Sequence, residues 1–415
     1  MEILTIEKEE YQSIIESNFN SDFKQSIYQG EKMAHNGWKT EYVKIELNGK
    51  CIGAAMLEIM PLLKVFKYCY IPRGFFIDYK SELVLSEFTN KLKKYLSAKN
   101  VIYVEIDPDI DLVQRDINGS VVENGFNNFD VVNNLKEVGW IQLPLKRGYD
   151  LSKECRWVSI LDLKGKSEDE IFSEFSYQTR QDIRSSEKYC VKTRILKESE
   201  LSILDDMEHE TGQRHHFEIM TLKNYQDLYT YFGKNRIQTL YAYLDLNSYY
   251  DKISSEYNRL EKSIENTKMF LEKIPESTKK IKKLKTDKEY FNSLAKKLAN
   301  IDNLKNRYGN EVPLACALFI KYNHKVVYLV GSSNYEQRVF RGPYAIQWCM
   351  IKEAIAEGYD LYDFYGISGY FEKGDEGYGV FDFKRGFNAC VHEYIGNFIL
   401  PVKPLMYKIY KSIKK

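Results

Sequence analysis

The sequence lacks the residue pairs that mark a disulfide framework or a zinc site. Its seven cysteines are scattered singly, with no Cys-x-x-Cys pair, which is typical of reduced thiols in a cytosolic protein. The six histidines include the neighbours His215 and His216 but show no His-x-x-His or His-x-x-x-His spacing. We therefore predict no metal site.

Nucleotide-binding and membrane-spanning signals are missing as well. There is no Gly-x-x-x-x-Gly-Lys-[Ser/Thr] loop, no strand-linked Gly-x-Gly-x-x-Gly and no Gly-x-Ser-x-Gly, so triphosphate, dinucleotide and serine-hydrolase chemistry are not indicated. We predict no cofactor. No apolar run is long enough to span a bilayer, and the charged residues after Leu4 are not typical of a signal peptide.

The chain also lacks an excess of charge of either sign. It has 60 Lys and Arg against 59 Asp and Glu, so its basic character is local and a bulk nucleic-acid binder is excluded. The tail from Pro401 to Lys415 has five lysines and no acid, interleaved with apolar and tyrosine residues. This pattern predicts a short amphipathic helix that either docks on the body or rests on an anionic membrane surface.

What the sequence does contain is a long helical pattern on both sides of Pro275. Apolar residues recur there at spacings of three and four, as in a seam that packs one helix against another. Pro275 and the following Ser277 are typical of a helix end and a new helix start. The pattern predicts an antiparallel hairpin over residues 247–307, with helices about 40 Å long. The seam residues are Ile253, Tyr257, Leu260, Ile264, Leu271, Ile274, Ile281, Leu284, Phe291, Leu294, Leu298 and Ile301.

This predicted hairpin is basic. Residues 247–309 contain fifteen Lys or Arg against nine Asp or Glu, and Lys279, Lys280, Lys282 and Lys283 cluster at the start of its second helix. Two interpretations stay open, because lysines can simply keep a coiled coil soluble or can bind the phosphates of a polyanion.

Strand and helix patterns alternate on both sides of the hairpin. One example is the pair of strand-like runs at residues 41–47 and 51–60 around the turn Asn48-Gly49. We predict an α/β fold with one mixed subdomain at residues 1–150 and a second at residues 151–246 and 308–400, into which the hairpin is inserted. The basic C-terminal helix would cover residues 401–415.

Three stretches could carry chemistry. Lys384 lies between aromatic residues, where a partly desolvated ammonium can stabilise negative charge in a transition state or can merely cover an apolar edge. Arg180, Arg184 and Lys188 recur every four residues, so they share a helix face that either holds phosphate or is solvated. The carboxylates of Asp107-Pro108-Asp109 follow a predicted strand and are often only a cap there.

Taken in order over essentially the whole chain, these motifs resemble the FemABX family of peptidyltransferases, which build the interpeptide bridges of bacterial peptidoglycan. Besides the Arg180/Arg184/Lys188 face and the inserted hairpin, the resemblance rests on Gly37-Trp38, Tyr70–Phe75, Glu105–Asp109, Thr211-Gly212-Gln213-Arg214, Gly331-Ser332-Ser333, Tyr362-Asp363-Phe364 and Gly379–Lys384.

The resemblance implies two acetyltransferase-like (GNAT-type) subdomains and a defined reaction. Glycine, alanine or serine would move from aminoacyl-tRNA to the peptide amine of a precursor such as lipid II, with Lys384 stabilising charge and Asp107 steering the amine. The enzyme would act in the cytoplasm, with peripheral contact to the inner face of the membrane. Implied substrate contacts are Lys32, Trp38, Arg73, Arg214, Tyr225, Asp363 and Phe383, and implied tRNA contacts are Arg180, Arg184, Lys188, Lys279, Lys280, Lys282 and Lys283.

The sequence departs from the family pattern near the implied acceptor site. Met220 stands where related members have an arginine, Val330 where a tyrosine is common and Asn397 where a glutamate is common. Lys32 matches the family's acceptor-site lysine only with a one-residue shift. We therefore expect phosphate recognition to be rebuilt around Lys32 and the arginines Arg73 and Arg214, or the acceptor to be different.

Other functions stay open. An acyl-CoA N-acyltransferase would use a Gly-rich loop of backbone N–H groups for pyrophosphate, whereas the nearest sequence, Arg341-Gly342-Pro343, has a proline at a donor position. A non-catalytic scaffold that recruits tRNA or a partner through the hairpin would tolerate Lys384→Ala. The same transfer chemistry could also serve immunity against a bridge-cutting hydrolase.

Overall fold

The computed structural model describes residues 1–18, 21–63, 65–150, 152–215 and 219–413, and the side chains of residues 18, 63, 214 and 215 are outside this description. The elements before residue 150 are β1 (Glu2–Ile6), α1 (Lys8–Asn18), α2 (Ile27–His35), β2 (Lys39–Leu47), β3 (Lys50–Leu63), β4 (Phe66–Ile71), α3 (Glu82–Ala98), β5 (Val101–Ile106), β6 (Asp111–Gln114), α4 (Phe129–Glu137) and β7 (Ile141–Gln142).

The later elements continue the alternation of strands and helices. They are β8 (Trp157–Asp162), α5 (Glu168–Glu174), α6 (Tyr177–Lys188), β9 (Val191–Ile195), α7 (Ser202–His215), α8 (Leu222–Phe232), β10 (Ile237–Asp245), α9 (Leu246–Lys273), α10 (Thr278–Tyr308), β11 (Glu311–Tyr322), β12 (Lys325–Ser333), α11 (Gly342–Ala356), β13 (Leu361–Gly366), α12 (Tyr378–Gly386), β14 (Cys390–Tyr394), β15 (Phe398–Pro401) and α13 (Pro404–Ile413).

Two mixed sheets carry these elements, which confirms the predicted fold class. The first has the order β1-β2-β3-β4-β5-β15-β7 and the second the order β6-β14-β8-β13-β12-β11-β10-β9. One pair in each sheet is parallel, β4 with β5 and β12 with β13. Helices cover both faces of each sheet, so alternating strand residues belong to two apolar clusters, one on either face.

The two sheets exchange strands across the predicted subdomain boundaries. Strand β6 belongs to residues 1–150 but pairs with β14 in the second sheet, and β15, near the C-terminus, pairs with β5 in the first. A cut at residue 150 or 400 therefore does not separate the strands of one sheet from those of the other. The boundaries themselves stay a prediction.

A helical hairpin projects from the second sheet where the seam pattern predicts it. Helices α9 and α10 are separated only by Ile274–Ser277 and pack along their lengths, with the rings of Tyr257 and Phe291 stacked 4.2 Å apart. At its base, Ile253 and Ile301 join the core of the second sheet. The seam residues nearest the tip, Ile274 and Ile281, are about half exposed. Within the described chain, no helix is both long and apolar enough to cross a membrane.

Candidate active site

Three adjoining cavities form a cleft that runs between the two sheets. The first-sheet cavity (about 390 Å³) is lined by Lys32, Trp38 and Tyr70, the central cavity (about 580 Å³) by Met220 and Asn397, and the Lys384 cavity (about 650 Å³) by residues described below. The first two cavities share part of their walls, which is formed by Lys24, Gln29, Lys32, Lys153 and Glu154. Tyr149, Cys155, Leu329 and Tyr365 line both of the last two. The shared walls make the cleft continuous.

Lys384 lies in the wall of the last cavity because α12 turns its apolar face inward. Phe381 and Lys384, three residues apart, are the buried residues of this helix, since positions i and i+3 share a helix face. Lys384 is only 4% exposed. Its ammonium Nζ donates to the backbone oxygens of Gly366 at 2.6 Å and Tyr365 at 3.2 Å.

A bulge at the end of β13 supplies these two oxygens. The pairing of β13 with β8 shifts register between Asp363 and Gly366, and Tyr365 has a φ of +63°. The Asp363 carboxylate accepts from the Tyr365 N–H at 2.7 Å and so holds the bulge. A side chain at Gly366 would meet the Cys155 Sγ at 2.5 Å. The bulge therefore directs backbone carbonyls at Lys384 instead of at a neighbouring strand.

The Lys384 ammonium holds its proton less tightly than an exposed lysine does. Burial lowers its pKa to about 8, although Cys155 and Asp363 act in the opposite direction. Two of its three N–H donors are used by the carbonyls. The third has no acceptor among the described residues, and Lys384 lines the cavity. The buried Ser332 Oγ lines the same cavity and has no hydrogen-bond partner among the described residues.

The predicted residues Asp107 and Arg73 come together, but below the cleft. Asp107 follows β5 and accepts from the Arg73 N–H and from the Tyr70 hydroxyl, both at 2.9 Å. The Arg73 guanidinium lies 3.5 Å from Asp107 and 3.9 Å from Glu154. Burial raises the pKa of Asp107 to about 7, against the effect of Arg73. Neither residue is among the described residues that line the three cavities, whereas Tyr70 and Glu154 are.

The implied substrate residues are distributed unequally. Lys32 and Trp38 line the first-sheet cavity and Phe383 lines the Lys384 cavity, while Asp363 holds the bulge beneath. Tyr225 is fully buried in the core around α8, so its ring lies behind the cleft wall. The side chain of Arg214 lies outside the described residues.

Lys32 is a partly buried cation of the cleft that lacks a carboxylate partner in the described part of the chain. Burial and the nearby Lys24 lower its pKa to about 8, and it makes no ion pair with any described residue. By contrast, Lys24 pairs with Glu154 at 2.7 Å and Lys153 pairs closely with Glu105. An anionic group of a ligand would supply the missing partner.

The two predicted cationic surfaces lie at opposite ends of the hairpin. Lys188 is at the base, where its backbone oxygen accepts from Lys252 at 2.6 Å. Lys279, Lys282 and Lys283 are exposed near the tip, roughly 30 Å along α9 from that contact. Lys280 lies over the Phe270 ring at 5.0 Å.

The arginines of α6 are partly engaged within the fold. Arg180 donates to the backbone oxygens of Ser173, at 2.7 Å, and of Phe175. The Arg184 guanidinium lies over the Phe172 ring at 5.3 Å and stays exposed. Arg184 and Lys188 are therefore the members of this face that can reach a phosphate.

Sequence reasoning missed several carboxylates of the cleft. Glu58 is 2% exposed, its Oε1 has no partner among the described residues, and burial raises its pKa to about 8. It lines the first-sheet cavity, and Glu208, whose pKa burial raises to about 7, lines the central cavity. Glu58 could have been found from the sequence, because it is the one acid in an otherwise apolar stretch of β3, residues 56–60. The ion pair of Lys24 with Glu154 could not have been found in this way, because the two residues are 130 positions apart.

The departures from the family motifs converge on one place. Met220, Val330 and Asn397 all line the central cavity, between Lys32 and the Lys384 cavity. They are far apart in sequence, and only the fold brings them together.

Comparisons with known proteins agree with the geometry. The FemAB family model matches residues 6–415. The chain is 31% identical over 418 residues to the aminoacyltransferase FemA of Staphylococcus aureus, which covers 100% of this chain and 99% of that protein. It is 30% identical over 416 residues to the aminoacyltransferase FemA of Staphylococcus epidermidis, with the same coverage. The crystal structure of FemX superposes with a TM-score of 0.78 at 23% identity over 99% of each chain, which shows a shared fold.

Proposed function

This chain belongs to the FemAB family and is an acyltransferase, and from that premise we propose that it builds or modifies the interpeptide bridge of peptidoglycan. Glycine, alanine or serine would move from aminoacyl-tRNA to the peptide amine of a precursor such as lipid II. The observation that carries this proposal is the buried Lys384 ammonium in the wall of a cleft made of three connected cavities.

The proposed reaction is aminolysis of an ester. The acceptor nitrogen attacks the aminoacyl carbonyl carbon, a C–N bond forms, and the carbonyl oxygen becomes an oxyanion. The C–O bond to the tRNA ribose then breaks, and the proton lost by the amine ends on the ribose oxygen. The third N–H of Lys384 stabilises the oxyanion or the leaving oxygen, because its position is fixed in advance by two carbonyls.

Asp107 acts through its neighbours in this proposal. It does not line the cleft, so we assign it the role of positioning residue for the incoming amine. Its hydrogen bond to the Tyr70 hydroxyl fixes a side chain of the first-sheet cavity, and its contact with Arg73 fixes Glu154 at the junction of two cavities. Because the Asp107 carboxylate accepts hydrogen bonds from the Tyr70 hydroxyl and the Arg73 N–H, it supports the cavity wall rigidly.

The acceptor binds in the first-sheet and central cavities. Lys32 supplies a cation for acceptor phosphate, and Trp38, edge to face with Tyr68 at 5.3 Å, supplies an apolar wall. Arg73 is already paired with carboxylates, which leaves Lys32 as the available cation among the described members of the predicted phosphate set. The less polar Met220 and Val330 shape the central cavity for the peptide stem.

The donor tRNA lies along the hairpin side of the second sheet. Arg184 and Lys188 at the hairpin base and Lys279, Lys282 and Lys283 near its tip present cations about 30 Å apart. Such a spacing suits contacts with separate phosphates of one folded RNA, since phosphate contacts position a nucleic acid. We propose that the reaction takes place in the cytoplasm, on an acceptor held at the inner face of the membrane.

The test mixes purified protein with lipid II and a pool of charged tRNAs and weighs the lipid products by mass spectrometry. We expect an added mass of one or more Gly, Ala or Ser residues, with fragmentation placing them on the peptide amine. Unchanged lipid II, in the presence of tRNA that demonstrably binds, would contradict lipid II as the acceptor.

A further inference from the structure

The inner face of the C-terminal helix α13 packs against the body of the protein. Met406, Tyr407 and Tyr410 pack against the first sheet. The Tyr103 ring lies 5.3 Å from the ring of Tyr407 and 5.9 Å from that of Tyr410. This packing fixes which side of the helix faces outward.

The rest of α13 exposes an apolar stripe beside lysines. Leu405, Ile409 and Ile413 are 76%, 51% and 71% exposed, and their spacing of four residues puts them in one row. Lys408 and Lys411 are exposed along the next row of the helix. Val65, in the turn between β3 and β4, is 64% exposed, and its neighbour Phe66 packs in the same cluster as Met406. Three apolar side chains in one exposed row are unusual on a surface that only meets water.

This surface lies beside the first-sheet cavity. Tyr103, which packs under α13, stacks on Tyr68 at 5.5 Å, and Tyr68 meets Trp38 at 5.3 Å. Tyr68 and Trp38 line the cavity. A continuous row of aromatic rings therefore links the helix to the cleft wall.

We propose that α13 and the neighbouring Val65 dock on an anionic lipid surface, with the Leu405/Ile409/Ile413 row in the acyl boundary and Lys408 and Lys411 at the head groups. The charge of this surface favours a lipid membrane over a second copy of the chain. Helix α13 contains lysines and no acid, so a second copy would bring like charges together, whereas anionic head groups complement the lysines. The inference deepens the proposed function and rests on it in one respect, because a lipid-linked acceptor would then enter the adjacent cavity from the membrane side.

The test is co-sedimentation of the full chain with acceptor-free vesicles of phosphatidylglycerol and phosphatidylcholine. We expect binding that weakens with added salt and with pure phosphatidylcholine. The triple variant Leu405→Glu/Ile409→Glu/Ile413→Glu should lose at least about tenfold in vesicle affinity, because it removes apolar insertion and adds repulsion. The control Leu83→Glu/Val121→Glu/Val339→Glu changes three other exposed apolar residues by the same charge and should bind as wild type.

Equal binding of the two triple variants would overturn the docking surface, as would a concentration-dependent dimer that the Leu405/Ile409/Ile413 substitutions dissociate. A second assay separates this outcome from failure of the proposed function. Lipid II is added to vesicles of the same phospholipid composition, and transfer to it should drop for the α13 variant. Transfer by this variant should recover when lipid II is presented in detergent. If the wild-type protein binds vesicles but transfers nothing in either format, the proposed function is contradicted and the docking surface is still supported.

Discussion

At the scale of single residues, Lys32 and Lys384 are the two lysines of the cleft whose pKa burial lowers to about 8. Their surroundings differ, since Lys384 is anchored by two backbone oxygens and Lys32 makes no ion pair among the described residues. Lys384 is therefore placed to meet an oxygen at a fixed point, and Lys32 to gain a ligand anion.

Lys32→Met should weaken acceptor binding with little effect on the chemical step. Free Lys32 is protonated below about pH 8, and a bound phosphate favours that form. The wild-type KM for the acceptor should therefore rise as pH increases through 8, whereas the variant should start with a KM at least about tenfold higher and lack this rise. KM and kcat measured from pH 7 to 9.5 check this. Lys39→Met, an exposed lysine paired with Glu41, should behave as wild type, and a variant that keeps the wild-type KM profile would remove Lys32 from the acceptor site.

Lys384 could be found from sequence because its aromatic flanks and the family motif point to one residue. Glu154, Lys24 and Glu208 could not, because an ion pair or a cavity wall between distant residues has no sequence period. Arg73 was expected at the acceptor phosphate, but the fold surrounds it with Asp107 and Glu154, a burial that its local sequence does not encode.

At the scale of elements, the hairpin was predictable and the strand exchange was not. A seam with spacings of three and four and a single proline specify two local helices, so residues 247–307 already indicate α9 and α10. Strands β6 and β15 are four residues each and pair with partners about 280 to 300 positions away. Pairing of short strands over such distances depends on the whole fold.

The hairpin lysines should act through salt-dependent tRNA binding. Replacing Lys279, Lys280, Lys282 and Lys283 with Gln should weaken binding and reduce the slope of log K against log salt concentration by about 0.7–0.9 for each phosphate that no longer meets a lysine. Filter binding at several salt concentrations measures this slope. A matched control replaces the exposed Lys91, Lys94, Lys136 and Lys234, and identical slopes for the two variants would show that the hairpin lysines only maintain solubility.

At the scale of the whole molecule, buried charges hold the two halves of the chain together. Lys325, on β12 of the second sheet, lies 3.3 Å from Asp22, 3.9 Å from Asp109 and 3.7 Å from Asp363. Asp22 and Asp109 belong to the first 150 residues, and the three carboxylates raise the pKa of Lys325 against the effect of its burial. The contact between the two halves is therefore a polar junction whose charges stabilise it only as a set.

Lys325→Met should destabilise this junction. Removing the cation leaves three carboxylates facing one another with little solvent, a change that typically costs about 3–5 kcal/mol for a buried pair. We expect a midpoint of thermal unfolding several degrees below that of wild type, measured by scanning calorimetry. The control Lys164→Met removes an exposed lysine that lies 3.6 Å from Asp360 and should leave the midpoint unchanged. Equal midpoints for the two variants would contradict a stabilising role for Lys325.

The most direct test of the central claim is single-turnover transfer by Lys384→Met, with binding of the same charged tRNA measured in parallel. We expect a fall in transfer rate of about 10²–10³-fold and a tRNA affinity within about twofold of wild type. The unfolding midpoint should be equal or higher, since a buried ammonium no longer has to be charged. Transfer at the wild-type rate, or an equal loss of transfer and tRNA binding, would contradict Lys384 as the group that stabilises the transition state.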